Sequence, residues 1–224
     1  RDIGVTGVQT CALPIYMASV TSGEAWLHIY ADATLDLTVP DGGHLQLRVT
    51  TRYPWDGHVA IEVLEALATT IAVRLRIPSW THGAWLDLPD VHGVAVSPGT
   101  YTCVDRAWRV GDRIDLHLPM VPRLVVSHSR VATNAGQVAL TRGPIVYCLE
   151  AVDHPGVEVS AIAVAPQSPW ELHVAEGLPA EIVALRGHGT VRADHVAGPD
   201  ASLYRALHGN TPDRKSTRLN SSHA

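Results

Sequence analysis

The stretch TIAVRLRIP, residues 70–78, alternates large apolar residues with small or charged ones. Because successive side chains of a β-strand point to opposite faces, this period of two predicts a strand with one buried face. The proline at its end has no backbone N–H to donate to a neighbouring strand, so the strand is expected to stop there. The apolar face carries Ile71, Val73, Leu75 and Ile77, and the polar face carries Thr70, Arg74 and Arg76.

The same alternation continues on both sides of this stretch. Turn signals separate the runs at a spacing of about ten residues: DGG (41–43), PWDG (54–57), SPGT (97–100) and VGD (110–112). Short strands with such turns are typical of an antiparallel β-sandwich, and a jelly-roll-like one is expected. No helix is predicted beyond Ala18. The apolar positions of the flanking strands are Leu35, Leu37 and Val39; Leu45, Leu47 and Val49; Val59, Ile61 and Val63; and Ile114, Leu116 and Leu118.

The pattern loosens after residue 122. Strand-like runs continue in RLVVSH (123–128), in residues 131–152 with breaks at 134–136 and 143–144, and in shorter stretches up to residue 196. They predict a second, smaller β-unit that lacks some of its strands. The expected organisation is all-β, with a β-sandwich accessory domain over residues 17–122 and a second, truncated β-sandwich over residues 123–212.

The two ends of the chain, residues 1–16 and 213–224, do not share this pattern. With one permitted codon per residue, the segment VTGVQTCALPI (5–15) has a complementary strand that reads, in frame, DRKSTRLNSSH (213–223). No folding constraint produces antisense complementarity between two peptides, whereas one synthetic DNA piece joined to both ends of a fragment does. The ends are therefore interpreted as translated sequencing adapter, disordered and non-native, and as no targeting signal.

Charge limits the classes of partner. Residues 17–212 hold 13 basic and 20 acidic side chains, a formal net charge of −7, and every basic one is an arginine. The arginines are scattered singly, so the basic stripe that binds a phosphate backbone is absent and nucleic acid is not expected as a partner. No run is long and apolar enough to span a membrane, and a soluble protein of the bacterial cytoplasm is expected.

No catalytic, cofactor-binding or metal-binding residue is predicted in this chain. Glu62 and Glu65 differ in strand parity, so they are expected on opposite faces and not as the paired carboxylates of a glycosidase. Asp115 is expected on an outward face and Asp112 in a turn. The histidines follow no short metal-ligand spacing, which favours surface or structural roles for them. Those considered are His28, His44, His58, His82, His92, His117 and His128.

Two cysteines, Cys103 and Cys148, lie outside the adapter-like ends. Neither belongs to a CxxC or Cys/His spacing, so no zinc site is expected. Both are expected at small, buried positions in strands. Whether they form a disulfide with each other is left open by the sequence.

Six tryptophans offer large aromatic faces. Such a face can pack against the C–H side of a sugar ring, but in a chain without phenylalanine the tryptophans must also serve as core aromatics. Packing within the core or between sheets is favoured over carbohydrate contact for any one of them. They are Trp26, Trp55, Trp80, Trp85, Trp108 and Trp170.

Four segments carry a resemblance to a known family. They are YPWDG (53–57), RIPSW (76–80), WRVGDRIDLHLPM (108–120) and GQVALTRGPIVYCLEAVD (136–153). Their order and spacing resemble the C-terminal part of the β-L-arabinofuranosidase-like glycoside hydrolases, glycoside hydrolase family 127. The resemblance covers nearly all of residues 16–153, and the last segment is its most specific element.

The resemblance implies an enzyme whose catalytic part is an upstream helical (α/α) barrel followed by β-sandwich domains. In that family a zinc ion, bound by further cysteines and a glutamate, holds a cysteine nucleophile as thiolate, and another glutamate is the general acid/base. The family's adjacent cysteine pair would fall just before MASVTSG (17–23). Neither Cys103 nor Cys148 matches it, so zinc is implied only for the missing domain of the parent enzyme.

The resemblance therefore implies an inactive, non-catalytic β-sandwich fragment of a hydrolase for terminal β-L-arabinofuranosides or a related plant sugar. Its expected partner is the missing upstream barrel or a second subunit, contacted through an exposed apolar patch. Two alternatives stay open. A stand-alone carbohydrate-binding module is favoured if two or three tryptophans are exposed on one face. A structural interaction domain is favoured if every tryptophan is buried and the exposed patch is aliphatic.

Overall fold

The computed structural model describes residues 4–6, 16–40, 42–67, 70–174, 182–192 and 214–223. The chain divides into two compact units, Arg1–Val121 and Pro122–Ala224. The predicted all-β fold class is confirmed. In the described part of the chain no helix has the length and hydropathy of a membrane span. Beyond Ala18 the helical structure described consists of the 3₁₀ turns Ala132–Asn134, Ala151–Asp153 and Val159–Ala161.

The described residues of the first unit form eleven strands. They are β1 (Gly4–Thr6), β2 (Ala18–Thr21), β3 (Glu24–Leu27), β4 (Ala33–Thr38), β5 (His44–Thr51), β6 (His58–Ala66), β7 (Ile71–Arg76), β8 (Trp85–Asp87), β9 (Val94–Ala95), β10 (Tyr101–Arg106) and β11 (Arg113–His117). One sheet has the order β1-β4-β5-β6-β11-β8-β9, and the other has the order β10-β7-β3-β2. The described pairs are antiparallel except β3 and β7, which run parallel with Ala25 opposite Val73.

Strands of both sheets contribute to one hydrophobic core. Every apolar position that the alternation predicts, from Leu35 to Leu118, belongs to this core. Burying a side chain such as Leu47 or Ile61, each 1% exposed or less, contributes on the order of 1.5–3 kcal/mol. The antiparallel sandwich predicted from the period of two is thus confirmed through its core.

Glycines shape the predicted turns in two ways. Gly42, Gly99 and Gly111 have φ of 90°, 72° and 89°, a region that disfavours residues with a Cβ atom. Gly57, in the PWDG segment, is required by close packing instead, because a Cβ there would lie 1.8 Å from the carbonyl oxygen of Leu118. Residue 41 of the DGG turn lies outside the described residues.

The described strands of the second unit form one sheet. They are β12 (Pro122–Val126), β13 (Val138–Arg142), β14 (Ile145–Cys148), β15 (Ile162–Ala163), β16 (Glu171–Val174), β17 (Val183–Arg192) and β18 (Arg214–His223). The order is β12-β13-β14-β18-β17-β15, and β16 also pairs with β17. The two-layer packing, the truncation and the limits assigned to this unit stay predictions.

Both terminal segments contain a strand. β1 pairs with β4, and β18 lies between β14 and β17. Backbone groups of these two strands extend the ladders of neighbouring strands. Most of residues 1–16, together with residues 213 and 224, lie outside the described residues, and the non-native origin of the ends stays a prediction.

Candidate functional site

Three aromatic rings lie side by side on the outward face of the seven-stranded sheet of the first unit. Strands β8, β11 and β6 are neighbours, and their register places His117 directly opposite both Trp85 and His58. The Trp85 and His117 rings stack with centroids 4.6 Å apart and an interplanar angle of 10°. The His117 and His58 rings follow at 5.1 Å and 28°. These three residues are named the aromatic ladder below.

Two carboxylates hold the aromatic ladder in place. Asp87 Oδ2 accepts a hydrogen bond of 3.0 Å from His117 Nε2, and Asp115 Oδ1 accepts one of 2.7 Å from His58 Nε2. Arg113 donates two more hydrogen bonds to Asp115, each of 2.7 Å, through Nε and Nη2. An ionised carboxylate only accepts hydrogen bonds, so each imidazole presents an N–H to its partner. Ring positions on this face are therefore set by charge as well as by stacking.

Both carboxylates stay ionised well below neutral pH. The backbone N–H of Gly93, 2.8 Å from Asp87 Oδ1, is the main reason why the pKa of Asp87 lies below its ordinary value. Burial opposes ionisation of Asp115, but hydrogen bonds from Arg113 and His58 outweigh this effect and lower the pKa of Asp115. Ionised groups of this kind accept hydrogen bonds and do not supply protons near neutral pH. On this face Asp87 and Asp115 therefore act as hydrogen-bond acceptors.

A second aromatic cluster lies on the outward face of the four-stranded sheet. Trp26 and Tyr101 meet edge to face with ring centroids 5.0 Å apart, and the guanidinium carbon of Arg74 lies 4.9 Å from the Trp26 ring centroid. Arg74 also donates hydrogen bonds of 2.9 and 2.6 Å to Glu24 Oε1. His28 Nδ1 hydrogen bonds with the Tyr101 hydroxyl at 2.7 Å. The Trp26 ring is thus already occupied by the protein's own side chains.

The prediction that Glu62 and Glu65 face opposite sides of β6 is wrong. A β-bulge at Leu64 shifts the register, so that Arg48 lies opposite Glu62 and Gln46 lies opposite Glu65. Because Arg48 and Gln46 share one face of β5, the two glutamates share that face as well. Glu62 Oε2 accepts a 3.0 Å hydrogen bond from Arg48 Nη1, and both side chains are about half exposed. The glutamates belong to the solvated sheet surface.

The described residues contain no group of three or more His, Cys, Asp or Glu side chains arranged to hold a metal ion. His44, like the ladder histidines, is paired with a carboxylate: its Nε2 donates a 2.7 Å hydrogen bond to Asp36. Asp112 accepts a hydrogen bond from the Arg109 backbone in the predicted turn. His82, His92 and His128 are exposed. That the chain has no catalytic, cofactor-binding or metal-binding residue stays a prediction.

The six tryptophans, all within the described residues, meet neither condition set for the alternative functions. Trp85 is 36% exposed on the seven-stranded sheet, and Trp26 is partly buried on the four-stranded one. Trp108 is 8% exposed. Trp55, Trp80 and Trp170 are partly buried. Trp85 alone of the six is exposed, so the condition for a carbohydrate-binding module, two or three exposed tryptophans on one face, is not met. The condition for a structural interaction domain, burial of every tryptophan, is not met either.

The prediction that both cysteines are buried is wrong for Cys103. This residue lies on β10 opposite Arg74 and is exposed, because the next position of the strand, Val104, takes the inward direction. Cys148 lies on β14 and is half-buried. Within the described residues neither takes part in a disulfide.

Sequence reasoning missed the aromatic ladder. Strand parity alone places His58 and His117 on outward faces, and that signal is readable in the alternation. Their contact with each other and with Trp85 depends on β11 lying between β6 and β8, an order that differs from the order along the chain. No local pattern encodes it.

Two family models match most of the chain. One describes "Beta-L-arabinofuranosidase, GH127 middle domain" and covers residues 24–120. The other describes "Glycoside hydrolase family 127 C-terminal domain" and covers residues 122–195.

Individual relatives agree with the two models. The chain is 34% identical over 164 residues to the non-reducing end beta-L-arabinofuranosidase of Bifidobacterium longum subsp. longum, which covers 70% of this chain and 22% of that protein. The crystal structure of a GH127 beta-L-arabinofuranosidase from Geobacillus stearothermophilus T6 matches with a TM-score of 0.79 and 28% identity, over 95% of this chain and 33% of that one. A GH127 beta-arabinofuranosidase at 22% identity shares the fold, with a TM-score of 0.77 over 95% of this chain and 34% of its own. The chain therefore spans about a third or less of the length of these relatives.

Proposed function

The chain belongs to glycoside hydrolase family 127, and we propose that it is a non-catalytic β-sandwich fragment of a β-L-arabinofuranosidase-like enzyme. The observation that carries the proposal is the match to the family's middle and C-terminal domains across both compact units. In this proposal the hydrolysis of terminal β-L-arabinofuranosides belongs to a part of the parent enzyme that this chain does not include.

The chemistry of the described carboxylates supports the proposal. The general acid of a glycosidase is a carboxyl group that can donate a proton to the leaving group. Asp87 and Asp115 are each held ionised by hydrogen-bond donors, and Glu62 is paired with Arg48 on an open sheet surface. Asp87 and Asp115 lie opposite each other on adjacent strands, but both accept hydrogen bonds as carboxylates and neither is placed as a proton donor.

Turnover of an aryl β-L-arabinofuranoside tests the proposal. The purified 224-residue chain is expected to release no aryl alcohol above the buffer rate and to bind no stoichiometric zinc by elemental analysis. A full-length β-L-arabinofuranosidase of the same family serves as the positive control. Hydrolysis that follows the protein peak through gel filtration would contradict the assignment.

We also propose that an exposed valine cluster on the β12–β13 hairpin contacts the rest of the parent enzyme. Val126 and Val138 lie directly opposite each other and are 69% and 47% exposed, and Val131 in the connecting loop is 43% exposed. These three valines form the hairpin patch. The next inward position, Leu140, is 7% exposed, so an apolar face that is buried along the hairpin continues into solvent at its open end. Exposed apolar clusters of this kind mark contact surfaces.

Binding to the separately produced catalytic part of the parent enzyme tests the hairpin patch. Val138→Arg is expected to weaken that binding by at least about tenfold, because it places a charge in an apolar contact. Val152→Arg is the matched control, since Val152 is 80% exposed and lies outside the patch. An equal loss of binding in both variants would contradict the proposal that the catalytic part contacts the hairpin patch. Self-association of the chain through the patch, measured by light scattering, would contradict it as well.

A further inference from the structure

The Trp85 side chain is 36% exposed and has only small residues beside it on the strand away from His117. His117 stacks on one face of the indole. On the other side the neighbour is the edge strand β9, where Ala95 lies directly opposite Trp85. Ala95 is exposed, and so are Gly93 and Ser97, two positions to either side of it, while the residues between them are partly buried. Gly93 has no side chain, and Ala95 and Ser97 carry only a methyl and a hydroxymethyl group, so these residues are too small to cover an indole ring and form a shallow floor beside it.

Hydrogen-bonding groups lie along one side of this floor. Asp87 follows Trp85 by two residues on β8 and shares its outward face. Its carboxylate is 29% exposed and lies 3.6 Å from Nδ1 of His92, whose side chain is 78% exposed. A carboxylate and an imidazole together offer acceptors and a donor to hydroxyl groups. The place therefore combines an open aromatic face with a polar rim.

We propose that this place, formed by Trp85, Ala95, Asp87 and His92, binds a neutral sugar ring. The C–H side of the ring would stack on the open face of Trp85 above Ala95, and its hydroxyl groups would hydrogen bond with Asp87 and His92. An anionic ligand is disfavoured, because Asp87 and Asp115 lie opposite each other on adjacent strands and both are acidic. This binding activity goes beyond the proposed function, since it requires no catalytic group and resides in the middle domain alone.

In the second aromatic cluster of the same unit, the Trp26 ring is covered by other side chains and is not available to a ligand. Arg74 lies over the Trp26 ring, and Tyr101 meets it edge to face. A ligand would have to displace a cation that is also bound to Glu24. Trp26 is therefore the matched control residue for Trp85.

Titration of the ¹⁵N-labelled 224-residue chain with methyl β-L-arabinofuranoside, and separately with methyl β-D-xylopyranoside, tests the inference. With at least one of these glycosides, the indole N–H signal of Trp85, identified by its absence in Trp85→Ala, is expected to shift in a saturable way. Trp85→Ala is expected to weaken binding by at least about tenfold, and Trp26→Ala to leave it unchanged. Ala95→Arg keeps the tryptophan and fills the floor, so the same loss is expected there.

Two results would overturn the inference. One is the absence of a saturable Trp85 shift with both glycosides in the folded wild-type chain. The other is binding that survives both Trp85→Ala and Ala95→Arg. Neither result bears on the proposed function, which is tested by turnover and zinc content.

Discussion

The indole Nε1–H of Trp108 donates a hydrogen bond of 2.7 Å to the backbone carbonyl oxygen of Ile71. Ile71 is the first residue of β7, and Trp108 follows β10, the strand that pairs with β7 along its whole length. The tryptophan ring is buried, and the Arg106 guanidinium carbon lies 5.6 Å from its centroid. One side chain thus fastens the end of β10 to the start of β7.

Replacing Trp108 by phenylalanine is expected to destabilise the first unit. The carbonyl oxygen of Ile71 would lose its indole donor in a buried place, which costs about 1–3 kcal/mol, and the smaller ring would leave a cavity. Urea unfolding followed by circular dichroism measures the change. Trp26→Phe is the control, because Trp26 lies on a partly exposed face, and a loss as large as that of Trp108→Phe would contradict the explanation.

Gly57→Ala is expected to be more damaging than substitution of a glycine in an open turn. A Cβ at residue 57 would lie 1.8 Å from the Leu118 carbonyl oxygen, so the backbone must move, at a cost of about 3 kcal/mol or more. Gly23, with φ of 68° and no atom within 4 Å of an added Cβ, should cost only about 1–2 kcal/mol. Thermal melts of Gly57→Ala and Gly23→Ala measure the two losses of stability. An equal decrease in Tm for both variants would refute the explanation by close packing at Gly57.

Acidification is expected to remove a contribution of Asp87 to stability. The folded pKa of Asp87 lies below its ordinary value of 3.8 because of the Gly93 N–H and His117. The contribution is therefore fully present well above pH 3.8 and is lost as the pH falls through the lower folded pKa. The difference in Tm between wild type and Asp87→Asn should be larger at about pH 6 than at about pH 2.5. A difference that does not change with pH would be incompatible with this assignment.

Cys103 is expected to react with iodoacetamide in the native chain. It is exposed on β10, whereas Cys148 is half-buried on β14, so Cys103 should be alkylated first. Peptide mapping by mass spectrometry assigns the modified residue and separates both from Cys11. Faster alkylation of Cys148 would show that the exposures described for the two strands are wrong.

The buried half of the first unit was predictable because burial follows a local rule. Alternation at residues such as Leu47, Ile61 and Leu116 identifies the inward face of each strand, and all three lie in the core. The rule fails where one extra residue enters a strand. The bulge at Leu64 reverses the parity beyond it, so Glu65 joins Glu62 on one face, and the sequence around Leu64 contains no glycine or proline to signal the change.

The candidate site was beyond prediction for a different reason. His58, Trp85 and His117 come from three separate segments, and their contact is set by the order β6-β11-β8. Ala95 lies in a two-residue strand, too short for its alternation to be recognised. Sites that depend on strand order and register require the tertiary structure.

The parallel pairing of β3 with β7 has a consequence for synthesis of the chain. The ribosome delivers residues 24–27 long before residues 71–76, and until then β3 has only β2 as a partner among the strands described beside it. An isolated two-stranded hairpin is marginal in water, so the inward side chains Ala25 and Leu27 belong to an incomplete sheet during this interval. A nascent polypeptide that stops before Arg76 therefore has an incomplete second sheet with exposed apolar side chains, which favours chaperone binding or aggregation.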